Sequence, residues 1–334
     1  MKNLKYIITL LLLLVSVNVA QSKRIKFTLQ WTAQSQFVGY YVAQELGYYK
    51  NLGLDVEINH VSTSTGINNH LNDCDALTLK LYDAISLISN GLDVVNILQT
   101  SQHSSLVVVA RHNDIKSLSD LKGRKVGIWS ASFRELAEGI SQDKGLDIEW
   151  VPFVQNINLF ISGAIDATFA ARYGEEYQLR MSGFENNPYI YLSDIGYDFP
   201  EDGLYIKADF YKKYPNQAKA FAVASRMGWE WAQQHPDKAL EIVIKVMERE
   251  HIPVSRRYQK WMLDQILKLQ CDKKTNKPSF DIDIQKFNQI NQFLIKRGAI
   301  NKPLSIDKIK GTHLCKKVRL RNINRFHFVS LSSF

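Results

Sequence analysis

Residues 24–58 read RIKFTLQWTAQSQFVGYYVAQELGYYKNLGLDVEI. Ile25, Phe27 and Leu29 alternate with polar neighbours, which is the period of a strand over 24–31. A polar loop, 32–36, separates that strand from Phe37, Tyr40, Tyr41 and Leu46, which fall near helical spacing up to a stop at Gly47. A turn at 50–53 then feeds a second strand over 54–58. The unit is strand–helix–strand, and its loop sits at the carboxyl end of the first strand, the edge where open α/β sheets take their ligands. Trp31 and the carboxamides of Gln30, Gln34 and Gln36 are offered there. A stacking face with amide donors and acceptors suits a flat, polar heterocycle better than an ion or a sugar phosphate.

Outward from this unit the alternation continues. After a short polar stretch at 62–66, whose hydroxyls suit a helix cap or a ligand contact, strands are predicted over 76–81, 94–98 and 105–110, with a helix from Asp83 to Gly91. A second series follows: strands at 125–129, 148–151 and 164–170, and helices at 133–143, 156–162 and 175–181. The stretch 188–199 is irregular with strand character, and 204–206 is a short strand. From Ala208 the pattern is helical, with segments at 218–235, 236–250 (opened by Pro236), 256–269 and 281–297. This order implies an α/β chain with two sheets linked by crossing segments, placed near 107–112 and 197–206. The first lobe is then discontinuous, 23–108 plus 204–300, and the second is 109–203.

The chain has 334 residues, 45% of them apolar and 22% charged, enough for a sizeable core. Lys2 and Lys5 precede an apolar run through Ala20, which reads as a secretory signal over 1–22 rather than a membrane span. The protein is therefore expected to be periplasmic or secreted after cleavage. The formal charge of +9 is concentrated at the two ends. The basic tail, 301–334, carries eight Lys/Arg against Asp307, and the two signal lysines supply the rest, so the body between is neutral. The basic pI therefore says nothing of a nucleic-acid surface, no motif for one is recognisable in the body, and no nucleic-acid partner is expected. Cys74, Cys271 and Cys315 are too few and too scattered for a disulfide framework or a zinc site, and read as free thiols.

No phosphate-binding glycine loop, zinc-protease helix or nucleophile elbow is present, and no cofactor or metal is expected. The residues at predicted strand ends are the candidates for a binding site. Tyr82 and Asp83 open the helix after the third strand, where an acid also suits the helix dipole. Trp129 and Ser130 end another strand, with the N–H groups of the next helix start beyond them. Glu175 follows a strand end, where a carboxylate can accept from an aminopyrimidine or simply favour a helix start. His103 lies at a strand–loop edge and could face a cleft, although a lone histidine is more often a surface or structural residue.

Five segments together resemble a known family: QWTAQSQFVGYYVAQELGYYKNLGLDVEI, LQTSQHSSLVVVAR, GRKVGIWSAS, NINLFISGAIDATFAARYGEEY and DIGYDFPEDGLYI. In that order they resemble the periplasmic solute-binding proteins for thiamine-pyrimidine precursors, akin to sulfonate-binding proteins and to the fungal-type thiamine-pyrimidine synthase. The resemblance runs from Arg24 to about Arg297. It implies a type II periplasmic binding protein-like fold, two lobes joined by crossing segments with the helical C-terminal part packed on the first. It also implies a small-molecule ligand, and delivery of that ligand to the permease of an ABC importer in the inner membrane. Related domains form the outer half of sensor kinases, which leaves a kinase partner as the alternative. By position the resemblance assigns ligand contact to Trp31, Gln36, Phe37, Tyr82, Asp83, Gln102, His103, Trp129, Ser130, Tyr173 and Glu175. The synthase branch uses a strand lysine with a histidine four residues on. Here Lys80 stands near that place but position 84 is alanine, and the synthase's cysteine cluster is missing, so binding without catalysis is expected. Gly174 stands where the family pattern has asparagine.

Overall fold

The computed structural model describes residues 23–62, 66–129, 133–153 and 157–311. The predicted signal peptide, Ser130 and the tail beyond 311, with Cys315, lie outside the described residues. In chain order the strands are β1 (Ile25–Leu29), β2 (Val56–His60), β3 (Ala76–Lys80), β4 (Val94–Gln99) and β5 (Leu106–Ala110). They are followed by β6 (Lys125–Trp129), β7 (Glu149–Phe153), β8 (Ala167–Ala171), β9 (Tyr189–Tyr191) and β10 (Asp202–Lys207).

Two five-stranded sheets result, ordered β2-β1-β3-β10-β4 and β7-β6-β8-β5-β9. Each has a parallel trio, β1 with β2 and β3 in one and β6 with β7 and β8 in the other. Each is completed by one antiparallel strand that arrives from the other sheet: β10 between β3 and β4, β5 between β8 and β9. The fold is therefore α/β with two lobes, as the alternation implies, and the lobes share two chain crossings.

The crossings are residues 100–105 outward and 192–201 on return. The outward one lies earlier than the 107–112 read from the sequence. Leu106 to Ala110 are fully buried and pair on both sides, so this apolar run is a central strand of the second sheet. The polar run before it, Thr-Ser-Gln-His-Ser-Ser, is what passes between the sheets.

The first sheet is covered by helices of the C-terminal half. Helix Val38–Glu45, which follows β1, lies against helix Pro215–Gln234. The contact is close because two glycines face each other: a Cβ on Gly228 would overlap the Gly39 carbonyl, and one on Gly39 would enter the Trp229 ring. Phe27 of β1 packs edge-on against Tyr40 (4.9 Å between ring centroids) and Phe221 (5.3 Å), joining strand and both helices in one aromatic core. Helices Pro236–Arg249, Arg256–Leu269 and Ile284–Lys296 extend this cover. The segment taken from the sequence as the head of the basic tail continues the packing: Leu304 and Ile309 are buried, and helix Ile306–Ile309 sits on β4. Cys74 and Cys271 are free thiols.

Candidate functional site

The carboxyl ends of β1, β3, β6 and β8 border a common space between the sheets. A cleft of about 720 Å³ opens there, within the range of small-molecule sites. From the first lobe come Trp31, Gln34 and Gln36 of the loop after β1, Lys80 at the end of β3, and Asp83. From the second come Trp129 at the end of β6, Phe133, and Tyr173 and Glu175 beyond β8. Helix Arg256–Leu269 adds Tyr258 and Met262.

On the second-lobe wall an aromatic group surrounds one carboxylate. Trp129 packs against Phe133 (5.3 Å) and Phe153 (5.5 Å). Its indole Nε1–H donates to Glu175 Oε1 at 3.0 Å, and the Ala171 N–H donates to Oε2 at 3.0 Å. Burial raises the Glu175 pKa against those hydrogen bonds. Each carboxyl oxygen has further acceptor capacity. On the first-lobe wall Trp31 is half-buried and lines the cleft from the opposite sheet. Gln36 is held in a relay: Gln34 Nε2 donates to its Oε1 (2.6 Å), and its Nε2 donates to Asp202 (2.6 Å), which also accepts from Gln30 (2.5 Å). Asp202 is raised by burial, and the hydrogen bond from Gln36 opposes that rise. Lys80 pairs with Asp83 at 3.9 Å and reaches over the Phe133 ring at 4.4 Å, a cation–π contact between the two lobes. Burial raises Asp83 as well, with Lys80 opposing.

Of the residues singled out from the sequence, Trp31, Gln36, Asp83, Trp129, Tyr173 and Glu175 are thus brought to one cleft. Four others are not. Phe37 is 1% exposed; with Gln36 turned to the cleft, its neighbour turns into the core. Tyr82 is buried and its hydroxyl accepts from Arg297 (3.0 Å), one helix position away from the cleft-facing Asp83. Gln102 and His103 belong to the outward crossing. Gln102 donates to the carbonyls of Ser279 (3.0 Å) and Asp281 (3.2 Å). His103 Nδ1 lies 2.7 Å from Asp198 and Nε2 lies 3.1 Å from the Cys271 carbonyl oxygen.

These two residues are part of a polar girder under the cleft. Gln99 Nε2 donates to the carbonyls of Ser101, Glu201 and Asp202, each at 3.1 Å. Glu201 on the return crossing accepts from the Ser105 N–H (2.5 Å) and hydroxyl (2.8 Å) on the outward one. Burial, then the neighbouring Asp202 charge, push Glu201 up to about 8. Asp198 accepts from Lys286 (2.8 Å) and the Ser104 N–H (2.9 Å). Burial alone would raise Asp198, but His103, Lys286 and that N–H outweigh it and hold the group well below the usual carboxylate range.

Sequence reasoning missed Phe133, Tyr258 and Met262 as cleft walls. Tyr258 and Met262 sit on an amphipathic helix far along the chain, and nothing in its period distinguishes core from cleft. Lys80 was legible at a strand end but was weighed only as a catalytic group. Among the described residues, no group of three His, Cys, Asp or Glu is placed to hold a metal ion.

Comparison with known proteins places this architecture. The NMT1/THI5-like family model matches residues 34–239. A protein of Haemophilus influenzae whose name assigns it to thiamine biosynthesis is 25% identical over 307 residues, covering 85% of this chain and 90% of that one. The formylaminopyrimidine-binding protein of Halalkalibacterium halodurans is 24% identical over 292 residues, 84% of this chain and 87% of the other. Among solved structures, the periplasmic aliphatic sulphonate binding protein SsuA of Escherichia coli superimposes with a TM-score of 0.62 at 13% identity, over 92% of this chain and 98% of that one. The fold is that of periplasmic binding proteins.

Proposed function

This chain belongs to the NMT1/THI5-like family, and from that premise we propose that it is an extracytoplasmic solute-binding protein for a planar heterocycle related to the pyrimidine of thiamine. The observation that carries the reading is the pairing of walls: Trp31 from one sheet faces the same cleft as the Trp129–Glu175 unit from the other. A flat ring between them stacks on an indole and donates its amino N–H to the carboxylate. Closure of the lobes removes water from that contact and strengthens it. A carboxylate held in one geometry by Trp129 and the Ala171 N–H discriminates by what the ligand lacks, since a ring without the amino group leaves the carboxylate's remaining acceptor capacity unmatched. Affinity for one state of the hinge then couples uptake to closure.

In this reading the ligand leaves unaltered, through the permease of an ABC importer, once the signal segment has been removed. The naming of one relative as a formylaminopyrimidine-binding protein supports both the ligand class and a binding role. The test is calorimetry of the purified chain with the aminopyrimidine half of thiamine, its deaminated analogue, and an alkanesulfonate. Micromolar or tighter uptake of the aminopyrimidine alone is expected. Preference for the sulfonate, or equal uptake of both pyrimidines, overturns the reading.

A further inference from the structure

Helix Arg134–Asp143 of the second lobe presents Glu135, Gly139 and Asp143 at intervals of four, so they share one face. All three meet the end of helix Ile284–Lys296, which packs on helix Leu81–Ser89 of the first lobe. Arg297 Nη1 donates to the Tyr82 hydroxyl (3.0 Å) of the first lobe and to the backbone carbonyl of Glu135 in the second. Asp143 accepts from Lys296 and, at 2.8 Å, from the hydroxyl of Tyr197 on the return crossing.

This face is costly for a helix on its own. Gly139 in its interior loses roughly 1 kcal/mol against alanine. A carboxylate in the last turn opposes the helix dipole. Both costs are met by adjacent residues, Arg297 and Lys296. A Cβ at Gly139 would overlap the Arg297 guanidinium, and Lys296 is the first cause of the lowered Asp143 pKa. The helix gives up propensity at the two positions where a basic pair from the other lobe arrives. The contact also borders the cleft: Asp83 and Glu135 line it, and Arg297 joins the residue beside the first to the backbone of the second.

We propose that Arg297, with Lys296 and Tyr197, forms a clasp that holds the second lobe against the first in the closed form, setting ligand affinity without touching the ligand. This deepens the binding-protein reading and rests on its two-lobed closure. When a ligand is trapped only by the closed form, its apparent affinity scales with the fraction of protein that is closed. Breaking the clasp lowers that fraction.

The test uses the full mature chain. Small-angle scattering without ligand reads lobe separation, and calorimetry with the aminopyrimidine half of thiamine reads affinity. Arg297→Met is expected to raise the radius of gyration and weaken binding about ten-fold, the scale of a lost charge-assisted hydrogen bond. Gly139→Ala, which displaces the same guanidinium, should do likewise, and the double variant should be no worse than either single one. If Arg297→Met does not fold, Lys296→Met, with a side chain 67% exposed, gives the same readouts. Unchanged scattering and affinity in these variants, or additive losses in the double variant, overturn the clasp. If the unaltered protein takes up no aminopyrimidine, the ligand reading falls, while the scattering arm still decides the clasp.

Discussion

The cleft and the crossing beneath it are made from the same kinds of side chain and use them in opposite ways. At the crossing, Gln99 at the end of β4, with Gln102 and His103, directs polar atoms to backbone carbonyls or to Asp198, and the two crossing segments are stitched by Glu201. In the cleft, Trp31, Asp83 and Glu175 border open volume, and each Glu175 oxygen accepts one hydrogen bond from the chain, with acceptor capacity to spare. A polar group whose hydrogen bonds are completed by the chain stiffens the fold. One that is oriented but incompletely matched is available to a ligand.

If that contrast holds, variants in the two regions separate stability from binding. The largest effect is expected at Asp198. Asp198→Ala leaves Lys286 and His103 without their shared carboxylate and should cost about 3–5 kcal/mol in urea unfolding, the scale of a broken buried pair. A loss below 1 kcal/mol would place the crossing outside the structural frame.

The pH dependence of stability should show the same girder from two sides. Asp198 is depressed in the fold, so its contribution is present above its ordinary value of 3.8 and is lost as pH falls below it. Glu201 is raised to about 8 from 4.5, so its contribution is present below 4.5 and is lost as pH rises toward 8. Glu201→Gln keeps a neutral group of the same shape and should flatten the alkaline limb in thermal melts between pH 5 and 8. An unaltered limb would assign it to other groups.

In the cleft the order reverses. Trp31→Ala should lower affinity by about 10–100-fold, as for other aromatic platforms under a ring, while the melting temperature stays within a degree or two. The smallest effect sharpens the site most. Glu175→Gln should weaken the aminopyrimidine several-fold more than its deaminated analogue, measured by calorimetry. Equal weakening of the two would detach Glu175 from the amino group.

Much of this was legible along the chain. The loop after β1 could be placed at a sheet edge because alternation, a polar break and a helical period follow one another within 35 residues of local pattern. Trp129 and Glu175 were legible for the same reason, one closing a strand and the other standing just past a strand end. Phe37 and Tyr82 were misplaced by a single position, since neighbouring residues on a helical turn face different sides and the sequence does not say which. Gln102 and His103 failed differently. Their composition is that of a binding loop, and only the partners Ser279, Asp281 and Asp198, all distant in sequence, convert them into girder.

By itself the sequence determined the α/β order, the neutral body between basic ends, and the strand ends at which side chains converge, because these depend on local period and charge. Tertiary structure alone decided which of those side chains face the opening and which are consumed by the crossing. It also decided that Tyr258 walls the cleft and that Gly139 makes room for Arg297. Those outcomes depend on contacts between residues far apart in the sequence, and no local period encodes them.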